Sequence, residues 1–167
     1  PWALFKQEQP RLTQLNTQLQ NERKNKMLVD DLKVLLASQY AFVIKAQLFH
    51  WNVEGPDFAQ LHKFFGKIYD EVYENAIDAT AEYIRIMDDY TPGSFERFQE
   101  LSLIPGQIKI PRSRLMIQEL LADSQTLIDH LNQCFASADQ ENQQGIADFV
   151  AGRIDAMGKH RWMLRSF

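Results

Sequence analysis

His50-Trp51-Asn52-Val53-Glu54-Gly55-Pro56-Asp57-Phe58-Ala59-Gln60-Leu61-His62 stands between two long helical patterns and turns the chain back on itself. Gly55 and Pro56 are helix breakers, one permissive of left-handed backbone and the other restrictive of its predecessor. Asp57 follows in the place of a helix N-cap. Upstream, Leu28, Leu32, Leu35, Leu36, Val43 and Phe49 recur at helical spacing from about Asn21 to Trp51. Downstream, Leu61, Phe65, Ile68, Val72 and Ile84 do the same from near Asp57 to about Asp89.

Working outward, two further patterns complete the set. Ser113 to Ala138 carries Ile117, Leu120, Leu121, Leu127, Ile128, Leu131 and Phe135. The last, from about Gln140 to Arg165, uses Ile146, Phe149, Val150, Ile154, Met157 and Leu164. Between the second and third helices lies a long connection holding Pro92-Gly93, Pro105-Gly106 and Pro111, within which Ser94 caps a short helix. Strand signals are lacking. The pattern predicts an all-α, four-helix bundle with one long crossover between helices 2 and 3, the ferritin-like connectivity. Residues 1–20 read as a polar N-terminal arm, in which Leu12, Leu15 and Leu19 suit a short packed helix, and residues 21–167 as the bundle domain.

Composition narrows the function. The chain has 167 residues, 45% of them hydrophobic, which suits one domain with a real core. No apolar run reaches the ~20 residues that span a bilayer, and the start of the chain lacks a signal-peptide pattern. Cys134 is the sole cysteine, so an intramolecular disulfide is impossible, which fits a reducing cytoplasm. With a net charge of −4, the overall field does not attract nucleic acid. Two local basic groups stand out, Arg23, Lys24 and Lys26, and Lys159, Arg161 and Arg165; the plain reading of both is a solvated helix face.

His50 and His62 flank the turn, and Asp78 and Glu82 stand one helical turn apart farther along the second helix. Imidazoles with carboxylates are iron or zinc ligands. No Glu stands three residues before any histidine, so the Glu-x-x-His pairs of an intrabundle di-iron site are missing. His62 and Asp78 are 16 residues apart, or ~24 Å along a helix. One ion cannot bind both from a single chain. A shared site needs carboxylates from a second copy, its helix antiparallel across a two-fold axis. The bland alternative is that the histidines pack or cap a helix corner and the acids form a solvated i, i+4 pair. On spacing alone that alternative stands ahead.

His50-Trp51-Asn52-Val53, Gly55, Phe58 and Leu61-His62, followed by Asp78, Ala81 and Glu82, resemble the signature of the Dps miniferritins, the DNA-binding proteins from starved cells. The resemblance runs from about residue 21 to 167 and includes the Trp162-Met163-Leu164-Arg165 ending. It implies a dodecameric shell with iron sites at two-fold interfaces, where Fe(II) is oxidised, usually by hydrogen peroxide and otherwise by dioxygen, and stored as ferric mineral. By position, His50 and His62 would come from one subunit and Asp78 and Glu82 from its neighbour, with zinc as a substitute for iron. Trp51 resembles the family's nearby aromatic, implied to intercept oxidising equivalents.

Two departures stand out. Where the family carries an Asp four residues after the second histidine, this chain has Gly66. Asp70, a turn farther on, is the residue left to stand in for it, in part and through water. The interval from His62 to Asp78 is also one residue longer than the family's. An extra residue rotates every later position by ~100°, so the helix must absorb it, most simply as a π-bulge between Gly66 and Ile77. The expected function is that of a cytoplasmic ferroxidase and iron store. Asp148 is a candidate for an acidic entry pore or, equally, an ordinary first-turn helix acid. The rivals are a storage shell with a weakened site, favoured by Gly66, and a nucleoid-binding protein. The second is disfavoured because residues 1–20 hold only Lys6 and Arg11 against Glu8.

Overall fold

The computed structural model describes the backbone of residues 2–167 and the side chains of residues 10–22 and 26–167. The side chains of Lys6, Glu8, Arg23 and Lys24, weighed above as an arm and a basic group, lie outside the described residues. The helices are α1 (Trp2–Asn52), α2 (Phe58–Val72), α3 (Asp78–Ile86), α4 (Phe95–Leu101), α5 (Ser113–Gln140) and α6 (Gln144–Arg165). A single π-helical turn, Tyr73–Ile77, joins α2 to α3. Four long helices therefore make the bundle, with α4 in the crossover, and the described residues contain no strand.

The predicted stripes make the core. Leu28, Leu32, Leu35, Leu36, Val43 and Phe49 of α1 meet Leu61, Phe65, Ile68, Val72 and Ile84 from the second long helix, all of them buried. Leu120, Leu127 and Leu131 of α5 and Ile146, Val150, Met157 and Leu164 of α6 close the other side. Truncating one such leucine to alanine removes ~2–5 kcal/mol of packing. One assignment is corrected: Phe135 is 39% exposed, and Cys134 takes the buried place beside it. The residues 127, 131, 134 and 138 follow the helical repeat, which carries position 135 out of the core.

The turns are explained by their residues. Gly55 has φ +107, a left-handed conformation that stops α1 and suits glycine. Asp57 occupies the N-cap position of α2, although its side chain accepts no capping hydrogen bond. Ser94 does cap α4, accepting from Arg97 N at 3.1 Å. Asn142 has φ 55, so the last helix starts at Gln144 rather than near Gln140. The crossover is tied to α1 in three places. Lys33 pairs with Asp89 at 2.8 Å, Leu103 N donates to Ser38 Oγ at 3.0 Å, and Tyr40 stacks on Phe98 with centroids 4.8 Å apart.

The first helix corrects another expectation. It begins at Trp2, not near Asn21, and runs unbroken through Pro10. At 51 residues it is ~76 Å long, against ~42 Å for the 28 residues of α5. Its early part therefore overhangs the bundle. Leu12, Leu15 and Leu19 are 54%, 52% and 46% exposed, so they do not pack as a separate short helix.

Candidate metal centre

The end of α1 and the first turns of α2 bring His50 and His62 face to face, with ring centroids 3.8 Å apart and planes 17° from parallel. Their hydrogen bonds are reciprocal. His50 Nδ1 lies 2.6 Å from the His62 carbonyl oxygen, and His62 Nδ1 lies 2.7 Å from that of His50. A carbonyl only accepts, so each ring carries a proton on Nδ1. Among the described residues Nε2 of each has no hydrogen-bond partner, and its lone pair is open to a cation. This is the arrangement in which a backbone carbonyl fixes the tautomer and aim of a ligating histidine.

The two carbonyls are available for different reasons. His50 O is among the last four of α1, which have no partner in the helix ladder. His62 thus caps α1. His62 O lies inside α2 and takes the His50 bond beside its own ladder bond. Aromatic rings enclose the pair: Phe58 stacks on His62 at 5.1 Å, and Tyr69 stands nearly perpendicular to His50 at 5.4 Å and 79°. Tyr69 went unnoticed in the sequence although it stands seven residues after His62 on the same helix face. Trp51 points away from the chain, 66% exposed.

The near-parallel stack limits what the pair can do. An imidazole lone pair lies in its ring plane, and a metal sits ~2.1 Å from the nitrogen. Two rings stacked at 3.8 Å direct their lone pairs along separate planes. As they stand, the histidines can serve two adjacent ions but cannot chelate one between them.

The second half of the predicted site lies beyond the π turn. Asp78 opens α3 and Glu82 follows one turn later, both exposed, and Asp70 is exposed on α2. The π turn falls inside the Gly66–Ile77 interval where the register count placed it. Thr80, fully buried, donates to the Ala76 carbonyl in that turn at 2.7 Å, and its oxygen lies 3.1 Å from the Gln39 amide of α1. Buried side-chain groups thus stabilise the irregular turn from within. Near it, burial and then the neighbouring Tyr73 and Asp78 raise the Tyr40 phenol above its ordinary value. Among the described residues no three His, Cys, Asp or Glu side chains gather closely enough to hold an ion. The histidine half and the carboxylate half remain separate on one chain.

Sequence reasoning missed the buried charges. Arg153 of α6 grips Glu71 of α2 through two bonds of 2.6 and 3.0 Å, and His160 Nε2 reaches the same carboxylate at 2.8 Å. Burial works to raise the Glu71 carboxyl, but the His160 and Arg153 contacts outweigh it and hold it at about 2. Lys45 and Asp123 form a second buried pair at 2.7 Å, in which burial, only partly offset by Lys45, raises the carboxyl. Residues 82 positions apart give no local signal of such pairing. Burial and then the nearby Asp31 push the Cys134 thiol far up, so it is chemically quiet.

Comparison with known proteins bears on this geometry. The family model described as the ferritin-like domain matches residues 29–167. An uncharacterized low temperature-induced protein of Nostoc sp. is 36% identical over 137 residues, which cover 79% of this chain and 74% of that protein. DNA protection during starvation protein 2 of Bacillus anthracis is 27% identical over 143 residues, 86% of this chain and 97% of that one. Among solved structures, a Dps protein of Vibrio cholerae, described as a member of a broad superfamily of ferritin-like diiron-carboxylate proteins, superposes with a TM-score of 0.82 at 24% identity, covering 86% of this chain and 90% of that one.

Proposed function

This chain belongs to the ferritin-like family, among the Dps miniferritins, and on that premise we propose that it is a ferroxidase and iron store whose sites form between two copies. Dps proteins are known for DNA protection and iron storage. The observation that carries the reading is the reciprocal histidine lock, which frees both Nε2 atoms at the place where the family binds iron. Fe(II) is the substrate. His50 and His62 each offer Nε2 to one of two adjacent Fe(II) ions from one subunit, and Asp78 and Glu82 reach these ions from an antiparallel neighbour, with Asp70 as an outer carboxylate acting through water. Two Fe(II) each give one electron to hydrogen peroxide, which with two protons becomes two molecules of water. The ferric product is stored in a dodecameric shell, and less hydroxyl radical forms. Dioxygen is the alternative oxidant, and zinc is a competing occupant of the same ligands.

In this reading the protein works in the cytoplasm, with residues 1–20 as an arm distinct from the 21–167 body. No described helix is long and apolar enough to cross a membrane. Stopped-flow Fe(II) oxidation by peroxide, comparing the native chain with His50→Ala and His62→Ala, tests the assignment. Circular dichroism and native mass spectrometry of each variant check fold and assembly. Equal rates in assembled variants would remove these residues from the chemistry. A second reading is a storage shell with a slowed site, favoured by the absence of a carboxylate at Gly66. It predicts iron binding with histidine-dependent affinity but little turnover.

A further inference from the structure

We propose that Gly66 is a positioning residue: its bare backbone is the seat of the His50 ring, and a side chain there would dismantle the histidine pair rather than complete it. The inference deepens the ferroxidase reading and rests on it for its functional consequence, though not for its geometry. A Cβ built on Gly66 would lie 3.2 Å from His50 Cε1 and 3.3 Å from His50 Nδ1. Such contacts are tighter than nine in ten that real Cβ atoms make, so the ring would have to give by a few tenths of an ångström.

It has no easy direction in which to move. His62 already lies against one face at 3.8 Å, the Tyr69 ring stands nearly perpendicular with its centroid 5.4 Å away, and the Nδ1 bond to His62 O is 2.6 Å. Any shift that relieves the Cβ contact opens the stack or lengthens that bond.

Helix geometry explains why position 66 in particular controls the bond. Side chains lean toward the N-terminus of their helix and cover the turn before them. The side chain of residue 66 would lie over the turn that presents the His62 carbonyl, four residues earlier. Glycine leaves that carbonyl uncovered for a second donor, and His50 takes it. His50 O needs no such help, because α1 ends there. The reciprocal lock therefore depends on one glycine at its mid-helix end. With that bond lost, the tautomer and aim of His50 are no longer set.

This inverts the simpler view of Gly66 as a ligand gone missing. That view predicts that Gly66→Asp adds a carboxylate and tightens the site. The seat predicts the opposite.

Four full-length assembled variants decide between them: Gly66→Ala, Gly66→Asp, His50→Ala and the double variant His50→Ala/Gly66→Ala. Each is titrated with Co(II), followed by its visible absorption, and then with Fe(II). Alanine is the better helix former by ~1 kcal/mol, which offsets the lost His50 hydrogen bond of similar size, so Gly66→Ala should unfold within a few degrees of the native chain. Its Co(II) affinity should nevertheless fall by about 10-fold or more, the size of effect expected when a ligand's supporting contact is lost. Gly66→Asp should bind no more tightly than the native chain. The double variant should bind as His50→Ala does, because Gly66 acts only through that ring. Unchanged affinity in Gly66→Ala, tighter binding in Gly66→Asp, or additive losses in the double variant would each overturn the proposal.

If the native chain binds neither metal, or His50→Ala binds as the native chain does, the ferroxidase reading fails at this residue. The seat is then judged by a crystal structure of Gly66→Ala. Loss of the His50 Nδ1 to His62 O bond supports it, and retention of bond and stack overturns it.

Discussion

Replacing Glu71 with glutamine should weaken the fold and flatten its response to acid. The carboxylate ties α2 to α6 by accepting two bonds from Arg153 and one from His160. Its proton leaves at about 2 in the folded chain, against the ordinary 4.5. The unfolded chain takes up that proton as pH falls through about 4.5, and the folded chain only near 2. The tie thus contributes fully above pH ~5 and is lost progressively between about 4.5 and 2. The drop from 4.5 to about 2 is worth at most ~3.4 kcal/mol. Because the side chain is 28% exposed, solvent screening lowers this to ~2 kcal/mol. Glutamine keeps the shape and one acceptor but leaves the buried Arg153 without an anion. Urea unfolding of the two proteins at steps from pH 7 to 3 gives the assay. The native chain should be ~2 kcal/mol more stable than Glu71→Gln at pH 7, with the gap shrinking below pH 4.5. A gap that stays constant with pH, or no gap at all, would refute the assignment of the tie to ionised Glu71.

Deleting Asn75 should convert the π turn into regular α-helix while leaving Asp78 and Glu82 on the exposed face; iron oxidation by the deletion variant, if abolished with assembly intact, would show that the turn does more than absorb a residue. Thr80→Val removes the donor to Ala76 O and should lower stability by ~1–3 kcal/mol, read from denaturant midpoints. Lys45→Met strands Asp123 in the interior and should cost ~3–5 kcal/mol, partly recovered by Asp123→Leu in the same chain. A gel shift at physiological salt should show little DNA retardation, and deletion of residues 1–20 should change it little; tight binding that vanishes with the deletion would establish the arm as a nucleic-acid element.

The legible parts of this molecule were those written in local periodicity or in simple counting. The stripe from Leu28 to Phe49 declares a helix face because burial repeats with the helical turn. The π turn was legible because an integer excess in the His62–Asp78 interval must appear somewhere in the backbone. Long-range pairing was not legible: nothing near Glu71 announces Arg153 or His160, since an ion pair between helices is fixed only when they pack. Leu12, Leu15 and Leu19 misled in a different way, as an apolar spacing states what a helix could bury, not whether a partner is there. Gly66 is the instructive case. As a letter it reads as an absence, and only the approach of His50 turns it into a requirement.

His50 and His62 hold the corner at Gly55-Pro56 closed through the same Nδ1 atoms that orient them. On the proposed ferroxidase reading, chemistry and architecture are thus written in the same two letters. A lineage that ceased to need the reaction could not discard these residues silently, for the hairpin would loosen with them. Drift at this corner is therefore policed by folding as well as by iron, and the site should outlast relaxed selection on its activity.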